Sequence, residues 1–155
     1  MKNKMLSSLF IMLLVILAFC KPIKPEGEGI TGKVTWLEGN QMPMIVEDGE
    51  KPEVNPKGVP VQRTLIIYPM TNLADAKVEG TLFQSISGEP ITTVTTDEEG
   101  RYLLELAPGR YSIFTREEDG LFANIFDGDG NIQPVTVKKG EWTLLDIVIN
   151  YKAVF

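Results

Sequence analysis

From Gly29 onward, apolar and polar residues alternate with a period of two. Along Ile30–Trp36, Ile30, Val34 and Trp36 fall on one face, with Thr31, Lys33 and Thr35 opposite. A strand points successive side chains to opposite faces, so this alternation predicts a half-buried strand. Val61–Tyr68 starts in the same way and becomes continuously apolar, the pattern of a central strand covered on both faces. Thr81–Ile86 and Ile91–Thr96 are rich in β-branched residues and predict two more strands. Arg101–Leu106 sets Tyr102, Leu104 and Leu106 on one face. Arg110–Thr115 sets Tyr111 and Ile113 on one face and Phe114 on the other. Ile132–Val137 contains Pro134, which has no N–H to give a ladder and belongs on an edge. Thr143–Tyr151 places Leu145, Ile147, Ile149 and Tyr151 together. No segment sustains a 3.6-residue period. The nearest, Thr71–Val78, suffices for one helical turn capped by Asn72. About 7–8 short strands with turns between them predict an all-β sandwich.

The turns account for most of the charged residues between the strands. In Thr96–Tyr102, Asp97 opens a turn and accepts backbone N–H bonds, while Gly100 supplies positive φ where the next strand begins. In Leu106–Tyr111, Pro108 and Gly109 fit the central positions of a type II turn. Two longer stretches interrupt the pattern. Residues 38–58, with three prolines, three glycines and seven charges, form a long loop with room for a short hairpin at Met44–Val46. Residues 69–80 form a second long connection.

The 155 residues fit one domain, and a 43% hydrophobic composition supports a sizeable core. The net charge is −6. An acidic body repels phosphate backbones, so nucleic acid is not an expected partner. There is no histidine, which removes the commonest general base and the commonest transition-metal ligand. The single cysteine, Cys20, excludes an intrachain disulfide and a Cys-rich zinc site.

The first residues read as an export address. Lys2 and Lys4 form a basic start, and an unbroken apolar run of eleven residues covers Leu9–Phe19. That length suits a signal peptide and is short for a bilayer span of about 20 residues. Leu17–Cys20, L-A-F-C, resembles a bacterial lipobox, in which the chain is cut before a cysteine that is then acylated. Phe19 departs from the small residue usual there. A short uncleaved membrane anchor and a plain secretory signal are the rival readings. The expected organisation is a signal peptide over 1–19, a lipidated Cys20 with a flexible tether over 20–28, and a β-sandwich over 29–155. Taking Lys2 and Lys4 from the 15 bases leaves 13 against 21 acids, a net of −8 for the remainder.

Ile30–Val34, Gly58–Val61, the stretch T-T-D-E-E-G-R-Y-L-L-E-L-A-P-G-R-Y-S from Thr95 to Ser112 and the final hydrophobic strand together resemble the carboxypeptidase regulatory-like domain. The resemblance covers most of residues 29–151. It implies a transthyretin-like (prealbumin-like) Greek-key β-sandwich and says little about function. Leu121–Ile132 and the ending N-Y-K-A-V-F resemble small bacterial lipoproteins that carry this domain. Hydroxyisourate hydrolases and intradiol dioxygenases share the transthyretin-like architecture but work through histidines, which are missing here.

Candidate sites are few. Asp127, Asp129 and Asn131 space oxygen ligands as the first half of a calcium loop does, although its twelfth position is Lys138 where a carboxylate is required. The competing reading is a turn built by Gly128 and Gly130. Asp119 could join Asp127 and Asp129 from a second loop. Thr115–Gly120 is a charge run expected to be a solvated turn or a partner-binding rim. Trp36, Trp142, Tyr68 and Tyr151 would stack on a sugar if they cluster on one face, and are core or edge packing otherwise. Glu98/Glu99 and Glu117/Glu118 are adjacent pairs that a strand points apart, so neither suits acid–base chemistry. The expectation is a non-enzymatic, lipid-anchored module of the cell envelope, outer membrane included, that binds a protein partner or a glycan. It needs no cofactor, with Ca²⁺ as the one candidate. Carbohydrate-binding and Ca²⁺-dependent modules are the alternatives.

Overall fold

A computed structural model describes residues 26–42 and 57–155. Cys20, the apolar leader and the Met44–Val46 hairpin lie outside the described residues. The described residues form two sheets of five and seven strands. The strands are β1 (Gly29–Asn40), β2 (Val59–Pro60), β3 (Thr64–Pro69), β4 (Ala76–Glu79), β5 (Leu82–Ile86) and β6 (Thr92–Thr95). They continue with β7 (Arg101–Glu105), β8 (Gly109–Glu117), β9 (Gly120–Phe122), β10 (Pro134–Val137), β11 (Trp142–Leu144) and β12 (Ile147–Val154).

The first sheet is organised around β1. Its opening half lies between antiparallel β7 and parallel β11, and its closing half between antiparallel β2 and parallel β12. The second sheet runs β4-β5-β9-β8-β3-β6, with β10 added to the opening half of β8. Residues of both sheets meet in one core: Ile30, Val34, Tyr102, Ile147 and Ile149 from the first, Leu65, Ile67, Ile113 and Phe122 from the second. This face-to-face burial makes the chain an all-β sandwich. A smaller cluster of Phe83, Phe114, Ala123 and Ile132 covers the opposite face of the second sheet. Leu65 and Ile67 therefore face the main core while Ile66 is buried on the other side, which explains the continuous apolar run of β3.

Three expectations change. Thr143–Tyr151 is two strands, because Leu145 and Asp146 step onto β1. The Leu145 N–H donates to Thr31 O, and Asp146 Oδ1 accepts the Lys33 N–H. The short strand β4 also occupies part of the 69–80 connection, and β8 runs on to Glu117, into the turn expected over Thr115–Gly120. Gly109 is no type II turn glycine, since its φ is not positive and it already opens β8. It is there for the ring of Tyr111: a Cβ at Gly109 would stand 3.0 Å from the Tyr111 hydroxyl, which donates to Ala107 O at 2.7 Å. Asn72 does cap a single turn of 3-10 helix over Leu73–Asp75, its side chain accepting from the Ala74 N–H. Asp97 accepts the Arg101 N–H at 2.7 Å, and Gly100 has φ +75, as the turn requires.

Candidate functional site

β8 points Tyr111, Ile113, Thr115 and Glu117 to the core side of its sheet, where all four are buried. Glu117 is thus the last residue of an inward-facing row. It is not the solvated member of a charge run that the sequence suggested. Its side chain is 2% exposed, while Glu118 beside it is exposed. Glu117 Oε2 accepts from Arg63 Nε and from the Tyr151 hydroxyl, each at 3.3 Å. Glu117 Oε1 is buried with no hydrogen-bond partner. A buried charge is tolerated only with partners, so Arg63 and Tyr151 are what keep this carboxylate in place.

Trp36 closes the arrangement. Its ring meets Tyr151 edge-on at 5.3 Å, and Tyr151 also contacts Phe122 at 5.4 Å. The Arg63 guanidinium lies 5.5 Å from the Trp36 ring centre and the Lys152 ammonium 5.7 Å from it, both within cation–π range. With Arg116 and Glu118 these residues line a cleft of about 340 Å³ at the edge of the sandwich. Strand ends explain the assembly: Trp36 lies where the β1–β12 register shifts, the extra residue falling in β12 between Ile149 and Lys152, Tyr151 and Lys152 lie near the end of β12, and Glu117 at the end of β8.

Burial, and then the Glu117 charge, push the Tyr151 hydroxyl above the ordinary tyrosine range. Burial does the same to Tyr102, whose hydroxyl donates to Leu145 O at 2.6 Å. Both groups keep their protons in the folded chain at a pH where the unfolded chain releases them. Their contribution is complete below about pH 10 and is lost as pH rises through the folded values. The denaturant midpoint is therefore expected to fall between pH 9 and pH 11, and to fall less in Tyr102→Phe. Equal slopes in the two proteins would contradict this assignment.

The other sequence candidates are dispersed. Trp142 pairs in register with Gly29, on the outer face of the first sheet, about 23 Å along β1 from Trp36. Tyr68 packs against Phe114 on the far face of the second sheet. Only Trp36 and Tyr151 of the four aromatics come together. Asp127 anchors its own turn: Oδ1 accepts the N–H groups of Asp129 and Asn131, and Oδ2 accepts Asn131 Nδ2 at 2.8 Å. Those bonds, the Asn131 side chain first, hold its carboxyl below the usual range. Asn72 Nδ2 donates to Asp129 O and Asn131 Oδ1, so the loop's oxygens face donors already present. Among the described residues, no three acids or cysteines gather as a metal cluster. Asp119 does not join Asp127: Arg110 beside Asp127 and Glu117 near Asp119 mark opposite ends of β8, about 23 Å apart. Glu98 and Glu99 are exposed in the β6–β7 turn, where Glu99 pairs with Arg101 at 2.9 Å.

The fold and cleft define an all-β sandwich with an aromatic and charged rim. Compared with known proteins, the chain matches no family model, no curated protein and no solved structure.

Proposed function

We propose that the chain is a non-enzymatic binding module of the carboxypeptidase regulatory-like kind, held in the cell envelope by acyl chains on Cys20, and that its partner is a protein. The observation that carries this reading is the Trp36–Tyr151 pair flanked by Arg63 and Lys152 over the buried Glu117. Trp, Tyr and Arg gathered around a desolvated charge are the residues that dominate protein–protein binding energy. A glycan is favoured less, because both flanks of Trp36 carry cations and the other aromatics that could extend a stacking platform lie far away. The resemblance on Ile30–Val34 and Thr95–Ser112 and the lipobox-like Leu17–Cys20 support the class and its location.

Photo-cross-linking in cells tests the partner. A benzophenone amino acid at Lys152 is expected to give a discrete protein adduct, and one at Asp129 none. Adducts confined to polysaccharide would move the reading to the glycan alternative. The anchor is tested separately. Cys20→Ala is expected to abolish acylation and release the protein from membranes, and continued acylation would remove Cys20 from the proposal.

A further inference from the structure

The outer face of the first sheet carries an apolar row. In register, Leu103 of β7, Thr31 of β1 and Leu144 of β11 stand side by side. Their neighbours Tyr102 and Ile30 are buried on the opposite face. Leu103 is 53% exposed and Leu144 70%. A sheet with one solvated face normally sets polar residues outward, and these two leucines break that rule. The next row toward the start of β1 is Glu105, Gly29 and Trp142. The half-buried indole extends the apolar surface, and Gly29 leaves it flat.

The chain joins the sheet beside this row. Glu28 O accepts the Leu106 N–H at 3.2 Å, Glu28 Oε2 accepts the Gly140 N–H at 2.8 Å, and the Gly29 N–H donates to Glu141 O at 3.2 Å. Residues 28 and 29 are thus pinned to the turns on both sides of them. Gly27 passes next to the indole, since a Cβ there would lie 3.5 Å from Trp142 Cζ2. Seven residue steps separate Gly27 from Cys20, a covalent reach of at most about 25 Å. A chain held in lipid at Cys20 therefore keeps Trp142 and the leucine row close to the lipid surface.

We infer that Leu103, Leu144 and Trp142 rest on the bilayer that holds the anchor. Docking presupposes the Cys20 anchor proposed above. An indole is favoured at headgroup level because its ring is amphipathic. A second copy of the chain is a poor match for so small a patch, because a stable protein interface takes about 800 Å² from each side. A bilayer meets no such threshold here: a short tether holds the face at an effective concentration on the order of millimolar, where weak contacts suffice. Beyond the leucine row lie Lys33 with Arg101 on one side and Glu105 on the other, a mixed rim that suits zwitterionic headgroups. The docked face leaves the Trp36 cleft about 23 Å farther along β1, clear of the lipid and open to a protein partner.

The two tryptophans supply the test. The full chain is isolated from cell membranes and reconstituted, one copy per disc, in nanodiscs of phosphatidylcholine with brominated acyl chains, which quench nearby indoles. With Trp36→Phe, the remaining Trp142 is expected to lose emission relative to unbrominated lipid. With Trp142→Phe, the remaining Trp36 is expected to keep it. Leu103→Glu and Leu144→Glu, made separately at exposed positions, are each expected to restore Trp142 emission while the chain still sediments with membranes. Sedimentation with membranes but no quenching of Trp142 would overturn docking and leave the anchor standing. Recovery of the chain in the soluble fraction would overturn both. Equal quenching of the two tryptophans, or quenching untouched by both glutamate variants, would remove this face from the contact. Quenching confined to discs that carry two copies would assign the face to a second chain and overturn the lipid reading.

Discussion

Phe114→Ala is expected to lower the unfolding free energy by about 3–5 kcal/mol. Phe114 is fully buried on the face of β8 that points away from the main core. Its ring meets Tyr68 edge-on at 5.6 Å and Phe83 at 5.4 Å, and shares its cluster with Ala123 and Ile132. Truncation removes the ring against which Tyr68 of β3 and Phe83 of β5 both pack. β3 and β8 are held in a ladder and cannot close over the hole, so both the transfer and the cavity costs are incurred. Against a typical domain stability of about 5–15 kcal/mol this is a large fraction. A denaturant titration with unchanged slope and a lowered midpoint would report it. A loss below about 1 kcal/mol would mean that this second cluster is not closed.

Gly32→Ala is expected to cost about 2–3 kcal/mol, at the upper part of the overpacking range. Gly32 lies on the inward face of β1 between Ile30 and Val34, and pairs in register with Tyr102. A Cβ there would stand 2.0 Å from the Leu145 carbonyl oxygen. The obstacle is backbone, which cannot swing aside as a side-chain tip can. The same oxygen accepts the Tyr102 hydroxyl at 2.6 Å, so displacing it also strains a buried hydrogen bond. Tyr102→Phe alone is expected to cost about 1–2 kcal/mol, because it leaves that carbonyl without its partner. The double variant should cost less than the sum, since both act on one contact. Additive losses, measured by the same titration, would show that Gly32 and Tyr102 act separately.

Period-two patterning made the main core readable in advance. Ile30, Val34, Tyr102, Ile113, Ile147 and Ile149 are all buried on the faces their spacing assigns. Phe114 was readable as facing the other way for the same reason. Breaks were harder. The interruption at Leu145–Asp146 is caused by hydrogen bonds to Thr31 and Lys33, more than a hundred residues away, and no local propensity encodes it. Gly32 did carry a signal, as a glycine inside an otherwise regular strand commonly marks close backbone approach. Glu117 carried one too: continuing the row from Tyr111 through Ile113 and Thr115 places it inside. Its position in a charged run hid that. The partners that make its burial tolerable, Arg63 and Tyr151, come from other strands and could be found only by folding the chain.

The arrangement of β1 bears on how the protein is made. Among the described strands it is made first, yet half of its neighbours are β11 and β12, the last two of them. Until residues 142–154 exist, β1 presents a bare parallel edge and the first sheet stays incomplete. The nascent polypeptide should therefore hold this sheet open until those residues have left the ribosome, and close it only when its two parallel strands arrive.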